Sequence, residues 1–169
     1  MKIAIIAAVS NNGVIGQDNK IPWSCPEDMA HFKAETLNST VIMGRKTFES
    51  MGSRCLPKRN NILVAPSLFD NTLKSLSTKG KLPQNLILEE SLESALNKAK
   101  EFNNSIYFIG GASIYSEAMK YADEILLSII DTYVKEDNVI KFPWINPLKF
   151  SISEVEDKET FKLIKYTKV

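Results

Sequence analysis

A chain of 169 residues has the size of one ordinary domain, and 21 Lys and Arg against 20 Asp and Glu leave a net charge of +1, too little to concentrate nucleic acid or an anionic membrane. Its two cysteines, Cys25 and Cys55, fit neither a disulfide framework nor a metal-ligand spacing, so a reducing, cytoplasmic setting without a metal site is expected. No stretch is apolar over the length needed to cross a bilayer as a helix.

Met1-Lys2 before the apolar Ile3 to Val9 resembles the start of a secretory leader. The run is short for one, lacks a clear cleavage site and closes on Asn11-Asn12-Gly13, as a strand closes on a turn. Ile3–Val9 and Thr40–Met43 read as strands covered on both faces, and similar runs recur at 61–64, 86–88, 106–109 and 125–130. Helical patterns lie between them at 26–37, 45–51, 92–102 and 112–121. This alternation predicts an α/β fold with a mostly parallel central sheet flanked by helices. Phe150–Val155 and Phe161–Val169, around Glu156-Asp157-Lys158-Glu159, predict a C-terminal antiparallel hairpin at the sheet edge. Phe69–Gln84, rich in Ser, Lys and Asn, is the most loop-like segment but too short to divide the chain, so residues 1–169 read as a single domain.

Three segments could carry chemistry. Ser24-Cys25-Pro26-Glu27 is a capping-box pattern with Pro tolerated in the first turn. On the helix it starts, Cys25, Met29, Phe32 and Thr36 share one face, with Asp28 at its margin. Asp28 is either an acid favouring a helix N-terminus or a half-buried carboxylate facing a cationic or amidine-like ligand. Gly44 followed by Arg45-Lys46-Thr47 reads as a phosphate-binding turn or as a solvated basic turn. Gly110-Gly111 joins a buried strand to the helix carrying Ser113 and Tyr115, and lets a backbone or a pyrophosphate approach closely. Neither G-x-G-x-x-G nor a P-loop is present. His31, the only histidine, points away from the apolar face on the wheel and reads as a partly exposed helical residue; with no His/Cys cluster or G-x-S-x-G elbow, zinc and triad hydrolysis are disfavoured.

Together these segments resemble the dihydrofolate reductase family. The motifs that carry the resemblance are Val14-Ile15-Gly16, Ile21-Pro22-Trp23 with Pro26-Glu27-Asp28, the run from Val41 to Gly52, Leu56-Pro57 with Arg59-Asn60-Asn61, and Ile109 to Tyr115. The resemblance implies hydride transfer from NADPH to dihydrofolate, feeding one-carbon metabolism and thymidylate synthesis, with antifolates as inhibitors and a monomer as the default. It implies that Asp28 grips the pterin's N3 and 2-amino group, with Ser128 where the family has a threonine bonded to it. Trp23 would hold a water beside both. Ile6, Ala7, Met29, Phe32, Met51, Leu56 and Ile109 would line the pterin pocket, Arg59 would take the α-carboxylate of the glutamate tail, and Lys33 would assist at the rim.

For the cofactor, the resemblance implies Ala8, Ile15 and Gly16 at the nicotinamide, with Asn19 and Lys20 in the loop over it, which runs from Gly13 to Trp23. Gly44, Arg45, Lys46 and Thr47 would hold the phosphates and adenosine end, with Ala65, Pro66 and Ser67 beside them. Gly110, Gly111, Ala112, Ser113, Ile114 and Tyr115 would cradle the pyrophosphate and nicotinamide, with the family's cis peptide between the glycines.

Three departures stand out. Ser113 and Ala65-Pro66-Ser67 occupy positions where NADPH-selective members often carry an arginine, or a serine or arginine, which implies weaker discrimination against NADH. Asp137 to Pro143 is longer than the family's acidic turn, and Ser53-Arg54-Cys55 is one residue longer than the usual approach to Leu-Pro, with no role for Arg54. Ile21, Met29 and Met51 sit where pocket shape would tune antifolate affinity. A pyrimidine reductase of the same fold and a non-catalytic nucleotide-binding module are the rival readings. Asp28, Trp23 and Ser128 argue against the module; Asp28 beside Trp23, together with Arg59, argues against the pyrimidine reductase.

Overall fold

The computed structural model describes residues 1–65 and 82–169. Among these, one eight-stranded sheet runs β5-β4-β3-β6-β1-β7-β10-β9. Its elements are β1 (Ile3–Val9), β3 (Thr40–Gly44), β4 (Asn60–Val64), β5 (Leu86–Glu89), β6 (Ile106–Phe108), β7 (Glu124–Ile130), β9 (Phe150–Asp157) and β10 (Phe161–Lys168). The first six pair in parallel, and β10 and then β9 add antiparallel.

The unbroken apolar run of β1 follows from its place in the sheet. Ile5, Ala7 and Val9 enter one apolar cluster, while Ala4 and Ile6 point the other way into a second. The period-two alternation of side chains therefore meets protein on both sides. Helices α3 (Leu92–Lys100) and α4 (Ala112–Ala118) cover the first face through Leu92, Ala95, Ile114 and Ala118. Helices α1 (Pro26–Thr36) and α2 (Arg45–Ser50) cover the second, with Phe48 fully buried and Phe32 packed against it. The chain passes from β1 to β3, outward to β5, and returns to insert β6 between them. The C-terminal ends of β1, β3 and β6 thus converge, the place where open α/β sheets bind ligands.

Several expectations are corrected. Val14–Gln17 (β2) and Val139–Lys141 (β8) form a separate two-stranded antiparallel sheet inside segments read as loops. Strands of four and three residues leave almost no periodic signal, and each forms because the other is present. The capping box does not form: α1 begins after Cys25, which makes no side-chain cap, and Ser24 is exposed outside it. A true capping box occurs instead at Ser91 and Ser94, opening α3. Helix α4 ends at Ala118, three residues short of Tyr121, with the chain turning through Tyr121 and Ala122. Met29 is 67% exposed despite its place on the apolar face, because that part of α1 overhangs an open cleft. His31 is partly exposed as expected, but it does not stand clear of the protein: its ring lies 5.8 Å from that of Phe161 and its Nε2 is buried with no hydrogen-bond partner among the described residues. The C-terminal hairpin reaches α1 at Glu27 and His31 through Thr160 and Phe161, contacts that a helix wheel cannot register. Most of Phe69–Gln84 lies outside the described residues.

Candidate active site

The cleft at the strand ends is an open cavity of about 360 Å³. Helix α1 contributes Asp28 and Met29, with Cys25 and Trp23 just before it. Helix α2 contributes Lys46, Thr47 and Ser50, and β1 ends in the cavity at Ala8. The connection from β6 to α4 supplies Ile109, Gly110, Gly111, Ala112 and Tyr115. Ile15, Gly16, Asn19 and Lys20 close it from the side, where a tight turn between Gln17 and Lys20 puts Asp18 and Asn19 at positive φ, as short turns of this type require.

Asp28 is the electrostatic centre of this cavity. Burial pushes its carboxyl above the ordinary range, opposed by hydrogen bonding to the Ser128 hydroxyl and by the nearby His31. Ser128 is buried on β7, and Asp28 forms no ion pair among the described residues. Tyr115 is buried; burial, then the charge of Asp28, pushes its phenol well up, so it stays neutral. Its hydroxyl lies 3.0 Å from both the Ile6 and Ile109 carbonyls and donates its one proton between them, tying β1 to the end of β6.

The glycine pair shapes the opposite wall. Its peptide is cis, Gly110 has φ +113°, and the Gly110 carbonyl accepts from the Gly44 amide at 2.8 Å. A Cβ on Gly110 would meet the Tyr115 hydroxyl at 3.0 Å, and one on Gly44 would meet Ile114 at 3.3 Å. A Cβ on Gly111 would stand 3.7 Å from Thr47 Oγ1, so the two turns face each other closely. Lys46 and Thr47 line the cavity beside these glycines, a cation, a hydroxyl and close-lying backbone on one wall.

The dihydrofolate reductase family profile matches residues 2–168. This chain belongs to the dihydrofolate reductase family. Dihydrofolate reductase of Buchnera aphidicola (Acyrthosiphon pisum) is 40% identical over 137 residues, covering 81% of this chain and 77% of the relative. That of Haemophilus influenzae is 38% identical over 146 residues, covering 86% and 81%. Among solved structures, dihydrofolate reductase from Enterococcus faecalis complexed with NADP(H) and RAB-propyl superposes with a TM-score of 0.82 at 25% identity, covering 99% of this chain and 96% of that one. The chain is therefore an enzyme, an oxidoreductase.

Not every expected site residue of the reductase reaches the cavity. Ile6, Ala7 and Ile114 are buried in the apolar clusters. Phe32, Met51 and Leu56 are partly buried against the second cluster and do not line the cavity. Ala65 is 3% exposed in that cluster, its amide donating to the Glu89 carbonyl, so its side chain offers the cleft nothing. Gly44 is the N-cap of α2, Arg45 pairs with Glu49 at 3.6 Å, and Lys33 and Ser113 are exposed. Pro66 and Ser67 lie outside the described residues. Arg59 stands apart: its Nε donates to the Pro57 carbonyl at 2.9 Å and its Nη1 to Thr36 Oγ1 at 3.0 Å.

Four cavity residues were absent from the expected binding set. Ser50 follows Lys46 by four positions on α2 and Cys25 precedes Asp28 by three, so helical spacing from residues already singled out could have found both. Ile21 was expected only to tune inhibitor affinity. Ile140 enters through its pairing with Gly16, for which the sequence has no local signal.

Proposed function

We propose that Asp28 is the group on which the reaction of this enzyme turns. The reductase converts 7,8-dihydrofolate to 5,6,7,8-tetrahydrofolate, supplying one-carbon metabolism and thymidylate synthesis. NADPH, when bound, supplies the hydride. The protein holds the pterin, excludes water and biases the ring toward protonation at N5. The observation that carries this reading is a carboxylate facing the cavity, partly desolvated and bonded to a buried hydroxyl, with no ion pair among the described residues to satisfy it. An amidine-like edge, two N–H donors wide, satisfies such a group. Trp23 beside it holds the water that shares this polar corner.

Lys46 and Thr47 take the phosphates against Gly110 and Gly111, while Ala8, Ile15, Gly16 and Tyr115 pack the nicotinamide end. Arg59 receives the glutamate tail, with Phe32, Met51 and Leu56 as its apolar floor. Ile21, 64% exposed, and Met29 border the opening, where they shape inhibitor affinity. The enzyme acts as one domain and a cytoplasmic monomer, without nucleic-acid or membrane partners.

The direct test is the decay of reduced-nicotinamide absorbance with purified protein, NADPH and dihydrofolate. Loss that requires both substrates supports the reading, while bound NADPH without turnover counts against it. Cofactor choice is a second expected result. Ser113 offers no charge where a second arginine would meet the 2′-phosphate, and Arg45 is shared with Glu49. NADPH is therefore expected to exceed NADH in kcat/KM by only about 10- to 100-fold, the worth of one charge-assisted contact set. Strict refusal of NADH would contradict this.

A further inference from the structure

Helix α1 presents Asp28, yet its own start is poorly secured. Cys25 supplies no side-chain cap and Pro26 carries no N–H, so the first turn lacks the local bonds that normally hold a helix end. The missing restraint comes from the far end of the chain. Glu27 Oε1 accepts from the Thr160 amide at 2.8 Å and from the Thr160 hydroxyl at 2.7 Å. Because that hydroxyl gives its proton to Glu27, its lone pair accepts from the Cys25 thiol, 3.4 Å away.

Cys25 is buried with Ile130 and Phe161, and Trp23 packs on the same cluster. The hairpin tip is itself closed by the Lys158 amide donating to the Phe161 carbonyl at 2.9 Å. One turn further along α1, the His31 ring rests against Phe161. Residues 25, 27 and 31 are thus fixed to the hairpin, and Asp28 sits among them, rotated about 100° from Glu27 toward the cavity. The two bonds from Thr160 hold the Glu27 carboxyl below its ordinary range, so the clamp is charged at neutral pH.

We propose that Thr160 is a positioning residue for Asp28, acting through Glu27 and Cys25 to set the first turn of α1 against the pterin site. The proposal rests on the reading of Asp28 given above. A displacement of the reacting geometry by even a fraction of an ångström is costly, so Thr160→Ala, which removes the hydroxyl and keeps the amide, is expected to lower kcat/KM for dihydrofolate about tenfold, chiefly through kcat. NADPH affinity, measured by fluorescence titration, stays within about twofold, since nothing in the clamp touches Lys46, Thr47 or the glycine pair. Thr160→Ser keeps the donor and restores activity. The acid limb of the kcat/KM profile is expected to move in Thr160→Ala and return in Thr160→Ser, which a loss of stability alone would not produce.

Unchanged kcat/KM and an unmoved pH profile in Thr160→Ala, alongside inactive Asp28→Asn, would overturn the positioning role while leaving Asp28 in place. Active Asp28→Asn would instead remove the reading of Asp28, and the proposal with it.

Discussion

Asp28→Asn is expected to lower turnover at neutral pH by about 10²- to 10⁴-fold, the range associated with losing a positioned acid–base group, while NADPH affinity changes little. The substitution keeps shape and one acceptor but removes the charge that, on the proposed reading, favours a protonated pterin. It also turns one acceptor into a donor aimed at an edge that already donates. Asp28 lies on α1, whereas Lys46 and Thr47 lie on α2 and the glycine pair follows β6, so the proposed cofactor side is built from other elements. Stopped-flow absorbance for turnover and fluorescence titration for NADPH test the two halves separately. Turnover within threefold of the parent, on the order of only 0.6 kcal/mol in the barrier, would remove Asp28 from the mechanism.

The same substitution is expected to stabilise the protein. Burial raises the Asp28 pKa, so the folded state binds this proton more tightly than the unfolded chain. The stabilisation that comes with the proton is complete below the unfolded carboxyl pKa and is lost as pH rises through the folded one. At neutral pH the parent carries a partly desolvated charge, whereas asparagine is neutral at every pH. The melting temperature of Asp28→Asn is therefore expected to exceed that of the parent by a few degrees at pH 7, the gap narrowing as the medium is acidified through the carboxyl range. A gap that widened on acidification would show that hydrogen bonding to Ser128, not burial, dominates at this group.

How far the sequence reveals this site depends on whether its contacts are local. The β1 run, Pro26 in the first turn of α1 and the Gly110-Gly111 turn each declare themselves through period, a fixed φ or a missing Cβ, and the structure forms all three. The pairing of β2 with β8 joins Gly16 to Ile140, and the clamp on α1 joins Glu27 to Thr160. Contacts separated by more than a hundred residues leave no mark in either partner's neighbourhood. His31 shows the same limit, because periodicity identifies one buried face of a helix and cannot count a second. Ala65 is the converse case: the resemblance assigns it to the cofactor, but its side chain belongs to the core beneath.

Replacing Arg59 with methionine is expected to raise KM for dihydrofolate about a hundredfold while changing kcat by less than threefold. The guanidinium is half-buried and held at two points, by the Pro57 carbonyl and by Thr36 Oγ1. Thr36, fully buried, donates its own proton to the Phe32 carbonyl at 2.8 Å and so presents a lone pair to Arg59. Burial pushes the Arg59 pKa down, and no carboxylate among the described residues compensates it. A half-buried cation with fixed direction and no carboxylate partner among the described residues gains most from a planar anion that accepts two parallel bonds, which is what an α-carboxylate provides. Lysine keeps the charge but not the fork, so Arg59→Lys is expected to recover only part of the loss. The decisive comparison uses a dihydropterin lacking the glutamate tail. Parent and Arg59→Met are expected to reduce it with equal kcat/KM, because the interaction removed by mutation is absent from the ligand as well. If the variant handled the truncated substrate as poorly as the full one, Arg59 would be supporting the fold of the pocket through Thr36 and Pro57 rather than receiving the tail.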